Sequence, residues 1–430
     1  MLDIQYIRQE PEKTSQAFVK RGCKISVNDI LKSDEEYRKA RTQSEKIRAD
    51  LNESSKSISK VPASERPQAI SRAQKLKEQL KQSEQHLELT EAKFKNLMYK
   101  LPNLPFEDVP VGKDEKANKV LRKVGKKPAF SFQARDYLTL SEKNDWVDMS
   151  RGARTSGSRF GYIKGDLVKL QFALVHLVLD RLTDENWLTE VAEKAKIEVP
   201  AKVFIPVVPP VMITHEAFRA MGKLDPGEEE ERYYIPKDKL FLVGSAEHSI
   251  GPLHMNETLD AEELPTRYIA YSSCFRRESG SYGRDTKGIL RVHQFDKLEM
   301  FSFTHPEKSR LEHQFFLAIQ EALVQELNLP YRVIHISTGD MVKTDAEQFD
   351  IEMWLPGQNN GKGEYRETHS TSNSTDFQAR RLNAKFRAGT NKEFLHTVNG
   401  TAFAIPRTLI AIIENFQKKD GGFKVPKALQ

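Results

Sequence analysis

Arg276 and Glu278 stand two residues apart, and Arg291, Phe295 and Glu299 stand four apart. All five lie in Cys274–Phe301, CFRRESGSYGRDTKGILRVHQFDKLEMF, which reads as two strands joined by a Gly-rich loop. On a strand, even spacing puts side chains on one face. Two charges on one strand, and charge, ring and charge on the next, are not core composition. Buried unpaired charges cost several kcal/mol, on the order of 3–5 when a pair is broken, so this face is expected to meet a charged ligand. The loop Ser279–Gly288 holds three glycines with Arg284 and Lys287, a flexible basic tip suited to polyanions.

Three further segments place polar groups where a core would not want them. Gly244-Ser245-Ala246-Glu247 follows the strand Phe241-Leu242-Val243 and offers a hydroxyl and a carboxylate to a small ammonium. An ordinary helix N-cap explains the same residues equally well. Tyr365–Ser370, with Asp376 beyond it, carries Glu367 and Ser370, hard oxygens suited to a magnesium ion held mainly by phosphates; a polar turn is the plainer reading. His369 has no second histidine or cysteine placed to help it bind metal. Asn399–Arg407, NGTAFAIPR, combines small residues with Pro406 at a helix start. Arg407 then sits at a helix N-terminus, where guanidinium and backbone dipoles both favour phosphate.

These groups need a scaffold, and 430 residues suffice for two or three domains. Charged residues are 30% of the chain and mean hydropathy is −0.60, with no apolar run near the roughly 20 residues of a membrane span. No membrane association is expected. The N-terminal stretch MLDIQYIRQEPEKT has an early acid and no apolar region, unlike a secretory or organellar leader. Only Cys23 and Cys274 are present, which excludes a disulfide framework and a cysteine zinc site and suits the cytosol. The histidines show no HExxH spacing.

The net charge of +6 is concentrated: residues 31–100 hold 16 Lys+Arg against 11 Asp+Glu. Within them Tyr37, Ala40, Ser44, Ile47, Leu51, Ser54 and Ile58 keep 3–4 spacing. After Val61-Pro62 the pattern restarts at Ala73, Leu76, Leu80, Ser83, Leu87, Thr90, Phe94, Leu97 and Leu101. Two helices of near 30 residues, about 45 Å each, broken by a proline turn, read as an antiparallel helical hairpin over about 30–101. A dimerising or spacer coiled coil and a nucleic-acid arm both fit; Lys56, Lys60, Arg66 and Arg72 at the tip favour RNA. A Pro/Gly/Lys linker is expected over 106–136, and a globular domain over 137–430. That domain should hold helices at Leu167–Leu182, Pro306–Leu327 and Arg407–Gln417. Strands are expected at Leu240–Val243, Tyr268–Arg276, Ile289–Phe303, Tyr331–Ser337 and Gln348–Leu355. The fold class is α+β, a mostly antiparallel sheet flanked by helices.

In this order the segments resemble the seryl-tRNA synthetase family of class II aminoacyl-tRNA synthetases. Motif 1 would be about 167–213 with VVPPVMI and Pro210, motif 2 about 268–301, and motif 3 about 396–417 with NGTAFAIPRTLIAIIEN. Thr338–Met341 (TGDM), Asp376–Arg381 (DFQARR), the linker NLPFEDVPVGKDE and the arm extend the likeness over nearly the whole chain. Residues 1–105 would be the tRNA-binding domain.

The resemblance implies a homodimeric, cytoplasmic enzyme that joins L-serine to ATP as seryl-adenylate and passes serine to the 3′ end of tRNA(Ser), with tRNA(Sec) a second substrate the family admits. It implies that Arg276 bridges the α-phosphate and the serine carboxylate and is catalytic with Arg407. Arg277, Glu278, Arg291, Val292, Phe295, Thr368, His369 and Arg407 would line the ATP site. Glu278 would read the adenine edge, Phe295 and Arg407 would cover its faces, and Arg291 would hold the γ-phosphate. Glu367 and Ser370 would also touch ATP and hold Mg²⁺. Ser245, Ala246, Glu247, Arg276, Glu299 and Thr401 would bind serine. The loop Ser279–Lys287 would meet the tRNA acceptor end and the arm the long variable arm. Ser245 stands where threonine is usual, Thr368-His369 where Ile-Ser is usual, Thr401 where serine is usual, and Ala402 and Pro406 where glycines are usual. These departures touch the backbone path near Arg407 but remove no charged group. A catalytically silent, RNA- or partner-binding relative is the alternative, and retention of Arg276, Glu278, Arg291, Glu299, Glu367 and Arg407 argues against it. The intact arm argues against a third reading, a variant that loads a carrier protein.

Overall fold

A computed structural model describes residues 1–224, 231–278 and 287–430 of the chain. It divides into two compact units, Leu2–Pro102 and Asn103–Gln430.

The first unit opens with short helices, Ile4–Gln9 and Pro11–Lys20, followed by two long ones, α1 (Val27–Ser57) and α2 (Arg66–Tyr99). Ser26 caps α1 by accepting the Asn28 amide, and Pro67 sits in the first turn of α2, where its missing N–H costs nothing. At 31 and 34 residues the helices are about 47 and 51 Å long. The expected seam is the one that packs. Ala40, Ser44, Thr90 and Leu101 are buried and the remaining seam positions half-buried, while the flanks are exposed. Tyr37 stacks on Phe94 with ring centroids 5.6 Å apart. At the base, Arg8 holds the buried Asp34 through two bonds of 2.6 and 2.8 Å. From Ile47 to Leu87 no residue is fully buried. The outer arm therefore gains little from packing and opens locally more easily than its base.

The second unit is built on one eight-stranded sheet. Its strands are labelled here β1 (Lys119–Val124), β2 (Ile205–Val207), β3 (Thr266–Phe275), β4 (Gln294–Thr304), β5 (Tyr331–His335), β6 (Glu347–Leu355), β7 (Glu364–Thr375) and β8 (His396–Ala404). The spatial order is β1-β5-β6-β7-β8-β4-β3-β2, antiparallel throughout except for the parallel pair β2–β3. Helices α3 (Tyr137–Asn144), α4 (Asp166–Leu182), α5 (Ser309–Glu326) and α6 (Ile405–Asn415) join the sheet in the main hydrophobic core. Leu174, Phe316, Ile319 and Ile410 from the helices meet Ile269, Leu298, Val333, Ile351 and Val398 from the strands. Among the described residues no helix is long and apolar enough to cross a membrane.

Some expectations shift. The segment 106–136, expected as a linker, contributes β1 to the sheet edge, and Phe106 N donates to Ala346 O. Its six strand residues are nearly all exposed, so no apolar alternation announced a strand. The strand expected from Ile289 begins only at Gln294, so Arg291 precedes it. Strands β7 and β8, polar and small-residue segments in the sequence, are central and flanked on both edges. Arg267 on β3 is fully buried, its fork bidentate on Glu312 at 2.7 Å and its Nη1 on the carbonyls of Pro200 and Lys202. That pair fixes the chain entering β2 against the sheet.

Candidate active site

The face of the sheet away from α4, α5 and α6 floors a cavity of about 590 Å³. The strand alternation of β4 aims Phe295, Lys297 and Glu299 into it. Two bulges decide the rest. Between β4 and β8 the register shifts so that Glu299 lies opposite Thr401, and Ala402 is the extra residue. Asn399, Thr401 and Ala404 consequently share the cavity side. Between β6 and β7 the register shifts at Thr368, so Glu367 and Ser370 both reach the cavity although they are three apart.

At one end of the cavity, Ser245 Oγ accepts from Glu247 N at 3.2 Å and from Lys297 Nζ at 2.8 Å. Lys297 Nζ also pairs with Glu299 Oε2 at 2.5 Å, and Thr401 Oγ1 donates to the same oxygen at 3.3 Å. Glu247 accepts from Gln378 Nε2 at 2.9 Å and pairs with Lys223 at 3.3 Å. Burial pushes Glu299 above the ordinary carboxylate range, with Lys297 pulling against it. Burial works against the Lys223 charge, but Glu247 and Asp345 raise it on balance.

In the middle, Arg276 Nε donates to Gly244 O at 3.0 Å and its guanidinium lies 5.3 Å from the Phe295 ring centre. Glu278 follows the end of β3 with φ +51° and pairs with Arg291 at 3.4 Å. At the other end Arg407, in the first turn of α6 after Pro406, donates to Glu367 O at 2.7 Å and pairs with its carboxylate at 3.4 Å. Burial raises Glu367, but the guanidiniums of Arg407, Arg276 and Arg291 outweigh it and hold the carboxyl below the usual range. Burial and Glu367 together push the adjoining Asp350 well up.

Thirteen of the expected residues therefore line one cavity: Ser245, Glu247, Arg276, Glu278, Arg291, Val292, Phe295, Glu299, Glu367, Thr368, Ser370, Thr401 and Arg407. Three do not line it. Ala246 is buried in a neighbouring apolar cluster. Arg277 sits 5.5 Å from the Tyr233 ring. His369 points to the opposite side of β7, edge-on to Phe403 at 5.7 Å with Nδ1 2.9 Å from Thr368 Oγ1, and burial lowers it to about 4. It is neutral at physiological pH. Most of the loop expected at the tRNA acceptor end, 279–286, lies outside the described residues. The hydroxyl of Ser245 accepts the Glu247 amide just ahead of the short helix Glu247–Ile250, and Ser245 also lines the cavity.

Among the residues sequence reasoning missed is Lys297. Its signal was available, because it lies midway between Phe295 and Glu299 on the alternation already invoked. Gln378 was missed for a different reason: it comes from the distant helix Phe377–Leu382. Neither Ala402 nor Pro406 has positive φ, so the two departures from glycine are accommodated without strain.

Among the described residues no group of three or more His, Cys, Asp or Glu could hold a metal by itself. Glu367 and Ser370 offer two hard oxygens beside three guanidiniums. That donor set fits a magnesium ion whose remaining ligands are phosphate oxygens and water.

Residues 1–105 match the seryl-tRNA synthetase N-terminal domain, and 232–416 match the tRNA synthetase class II core domain (G, H, P, S and T). The chain is 37% identical over 434 residues to the serine–tRNA ligase of Nitrosopumilus maritimus, covering 100% of this chain and 98% of that one. It is 39% identical over 431 residues to that of Acidothermus cellulolyticus, covering 100% and 97%. Seryl-tRNA synthetase from Pyrococcus horikoshii, solved with ATP, superposes with a TM-score of 0.85 at 35% identity, covering 100% and 97%. Cytoplasmic serine–tRNA ligase from Naegleria fowleri, solved with AMP, gives 0.81 at 30% identity, covering 100% and 96%.

Proposed function

The chain belongs to the seryl-tRNA synthetase family, and we infer from that premise how its cavity works as a serine–tRNA ligase. The observation that carries the reading is that Arg276, Glu299, Glu367 and Arg407 converge on one cavity from four different elements. In the first half-reaction a serine carboxylate oxygen attacks the α-phosphorus of ATP, the bond to pyrophosphate breaks, and seryl-adenylate forms. In the second, a ribose hydroxyl at the tRNA 3′ end attacks the activated carbonyl and AMP leaves. Neither step needs a protein nucleophile; positioning and charge stabilisation suffice.

Arg276 is held from behind by Gly244 O, so its planar fork can bridge the α-phosphate and the serine carboxylate. Phe295 stacks on adenine, and Glu278 accepts from its amino group. Arg291 and Arg407 meet the outer phosphates. Glu367 and Ser370 would hold Mg²⁺, which neutralises phosphate charge. At the amino-acid end, both lone pairs of Ser245 Oγ are taken by Glu247 N and Lys297 Nζ, so its own proton is offered to the cavity. Ser245 therefore donates to the substrate hydroxyl oxygen, and the ammonium falls to Glu247 and Glu299. The sequence expectation gave the ammonium and the hydroxyl jointly to Ser245, Glu247 and Glu299; this reading divides them. Thr401 completes the hydroxyl pocket, which disfavours alanine by leaving polar groups unpaired.

The reading is tested by ATP–pyrophosphate exchange on purified protein with serine, alanine, glycine and threonine. Serine alone is expected to support rapid exchange; no exchange with any of the four would overturn it. The silent-relative reading is left without a supporting observation, since no charged group of the site is lost.

The arm contacts the long variable arm of tRNA(Ser) by shape and backbone charge. Lys56, Lys60, Arg66 and Arg72 are exposed near its tip. Changing all four to Glu is expected to raise the tRNA KM at least about tenfold and flatten its salt dependence, with exchange unchanged. Unaltered charging by that variant would remove the arm from tRNA recognition. The exposed apolar Phe172, Ile205, Val208 and Met212 along motif 1 suit the homodimer of the family. The two cysteines, Cys23 and Cys274, are unpaired, which suits a cytosolic site of action.

A further inference from the structure

Tyr137, the first residue of α3, marked only the start of globular composition in the sequence. In the fold it is 3% exposed and lies beneath the limb that leads into Arg291. Its Oη accepts from Ile289 N at 2.8 Å. Lys287 O lies 3.5 Å away as the acceptor for the phenol proton. Gly288 stands at φ +73°, and a Cβ there would come within 1.9 Å of Oη. The backbone of 287–289 is thus wrapped on one phenol oxygen, which burial keeps protonated. Tyr137 is itself fixed from the opposite side. Its amide donates at 3.1 Å to Glu414, which also accepts from Gly357 N at 2.8 Å. Glu414 belongs to α6, the helix that begins with Arg407. One chain of hydrogen bonds therefore runs from the helix carrying Arg407, through Tyr137, to the residues immediately before Arg291.

We propose that Tyr137 is a positioning residue for the triphosphate end of ATP: it moors Lys287–Ile289 and so sets where Arg291 stands. The inference rests on the reading of Arg291 as the contact to the outer phosphates. Without the phenol oxygen, the buried Ile289 amide loses its acceptor, the Lys287 carbonyl loses its donor, and the limb shifts to find water. Adenine and the α-phosphate are held mainly by Phe295 and Arg276, from other segments, so AMP should sense the change far less than ATP, and then through the Glu278–Arg291 pair.

The test compares ATP and AMP binding by calorimetry for full-length wild type, Tyr137→Phe, Arg291→Ala and the double variant, with thermal midpoints as the check on folding. Phe preserves the ring packing. Tyr137→Phe is expected to weaken ATP about tenfold and leave AMP within twofold, to raise the ATP KM in exchange similarly, and to leave the serine KM unchanged. The double variant should bind ATP no more weakly than Arg291→Ala, because both changes remove one interaction. Equal weakening of ATP and AMP, or additive losses in the double variant, would overturn the proposal. If Arg291→Ala itself spares ATP relative to AMP, the underlying reading of Arg291 fails. If it is selective while Tyr137→Phe binds ATP as wild type does, only the mooring fails.

Discussion

Serine-dependent ATP–pyrophosphate exchange is expected to fall by about 10²–10³-fold or more on Arg276→Ala, the scale of losing a preorganised group at a developing charge. The thermal midpoint should change little, because among the described residues the guanidinium's hydrogen bond is the one to Gly244 O. Arg276→Lys is not expected to rescue the loss. An ammonium cannot span a phosphate and a carboxylate at once, whereas a planar fork can. Arg276→Ala also removes one of the three cations that hold Glu367 ionised. The carboxyl should consequently protonate at higher pH in the variant, and the acid limb of its residual pH–rate profile should move up. Exchange within tenfold of wild type would sink the role given to Arg276.

Lys297→Met is expected to lower kcat/KM for serine by about 10²–10³-fold while the ATP KM stays near wild type. Methionine fills the space but leaves Glu299 buried without its cation, and breaking such a pair costs about 3–5 kcal/mol. It also returns a lone pair to Ser245 Oγ and removes the reason for its proton to face the cavity. The pH dependence has a definite sign. Glu299 is already raised by burial, so its favourable contribution is complete below the ordinary carboxylate range and is lost as pH rises through its folded value. Removing Lys297 raises Glu299 further. The variant should therefore lose thermal stability, relative to wild type, as pH rises from about 4.5 toward neutrality. A variant with wild-type serine kinetics and a parallel stability–pH curve would show that Lys297 does not hold this pocket.

Much of the site could be read before any fold was known, for reasons that are local. Even spacing on β4 announced Phe295 and Glu299, since side chains two or four apart on a strand must share a face. The arm could be read residue by residue, since a helical seam follows from 3.6-residue periodicity alone. Arg407 followed from Pro406, which fixes a helix start. Lys297 obeys the same alternation, and its place as the cation pairing Glu299 shows only in the fold. His369 is the contrary case. It stands between two cavity residues, yet Ser370 faces the cavity and His369, one residue back, faces Phe403. Strand β1 gave no pattern because an exposed edge strand has no buried face to write one.

The sequence by itself determined which charged groups the chain owns, the helical hairpin and the antiparallel character of the second unit. All of these follow from residue type and short-range spacing. Only the tertiary structure decided how Glu367 and Ser370 come to one side, since residues three apart on a regular strand face opposite ways. A bulge at Thr368 absorbs one residue of β7 against β6 and turns both toward the cavity. A second bulge at Ala402 sets Thr401 opposite Glu299. Bulges arise from the mismatch between two strands far apart in sequence, so neither strand encodes its bulge alone. The mooring of 287–289 on Tyr137 has the same origin, a contact across about 150 residues that no local rule can supply.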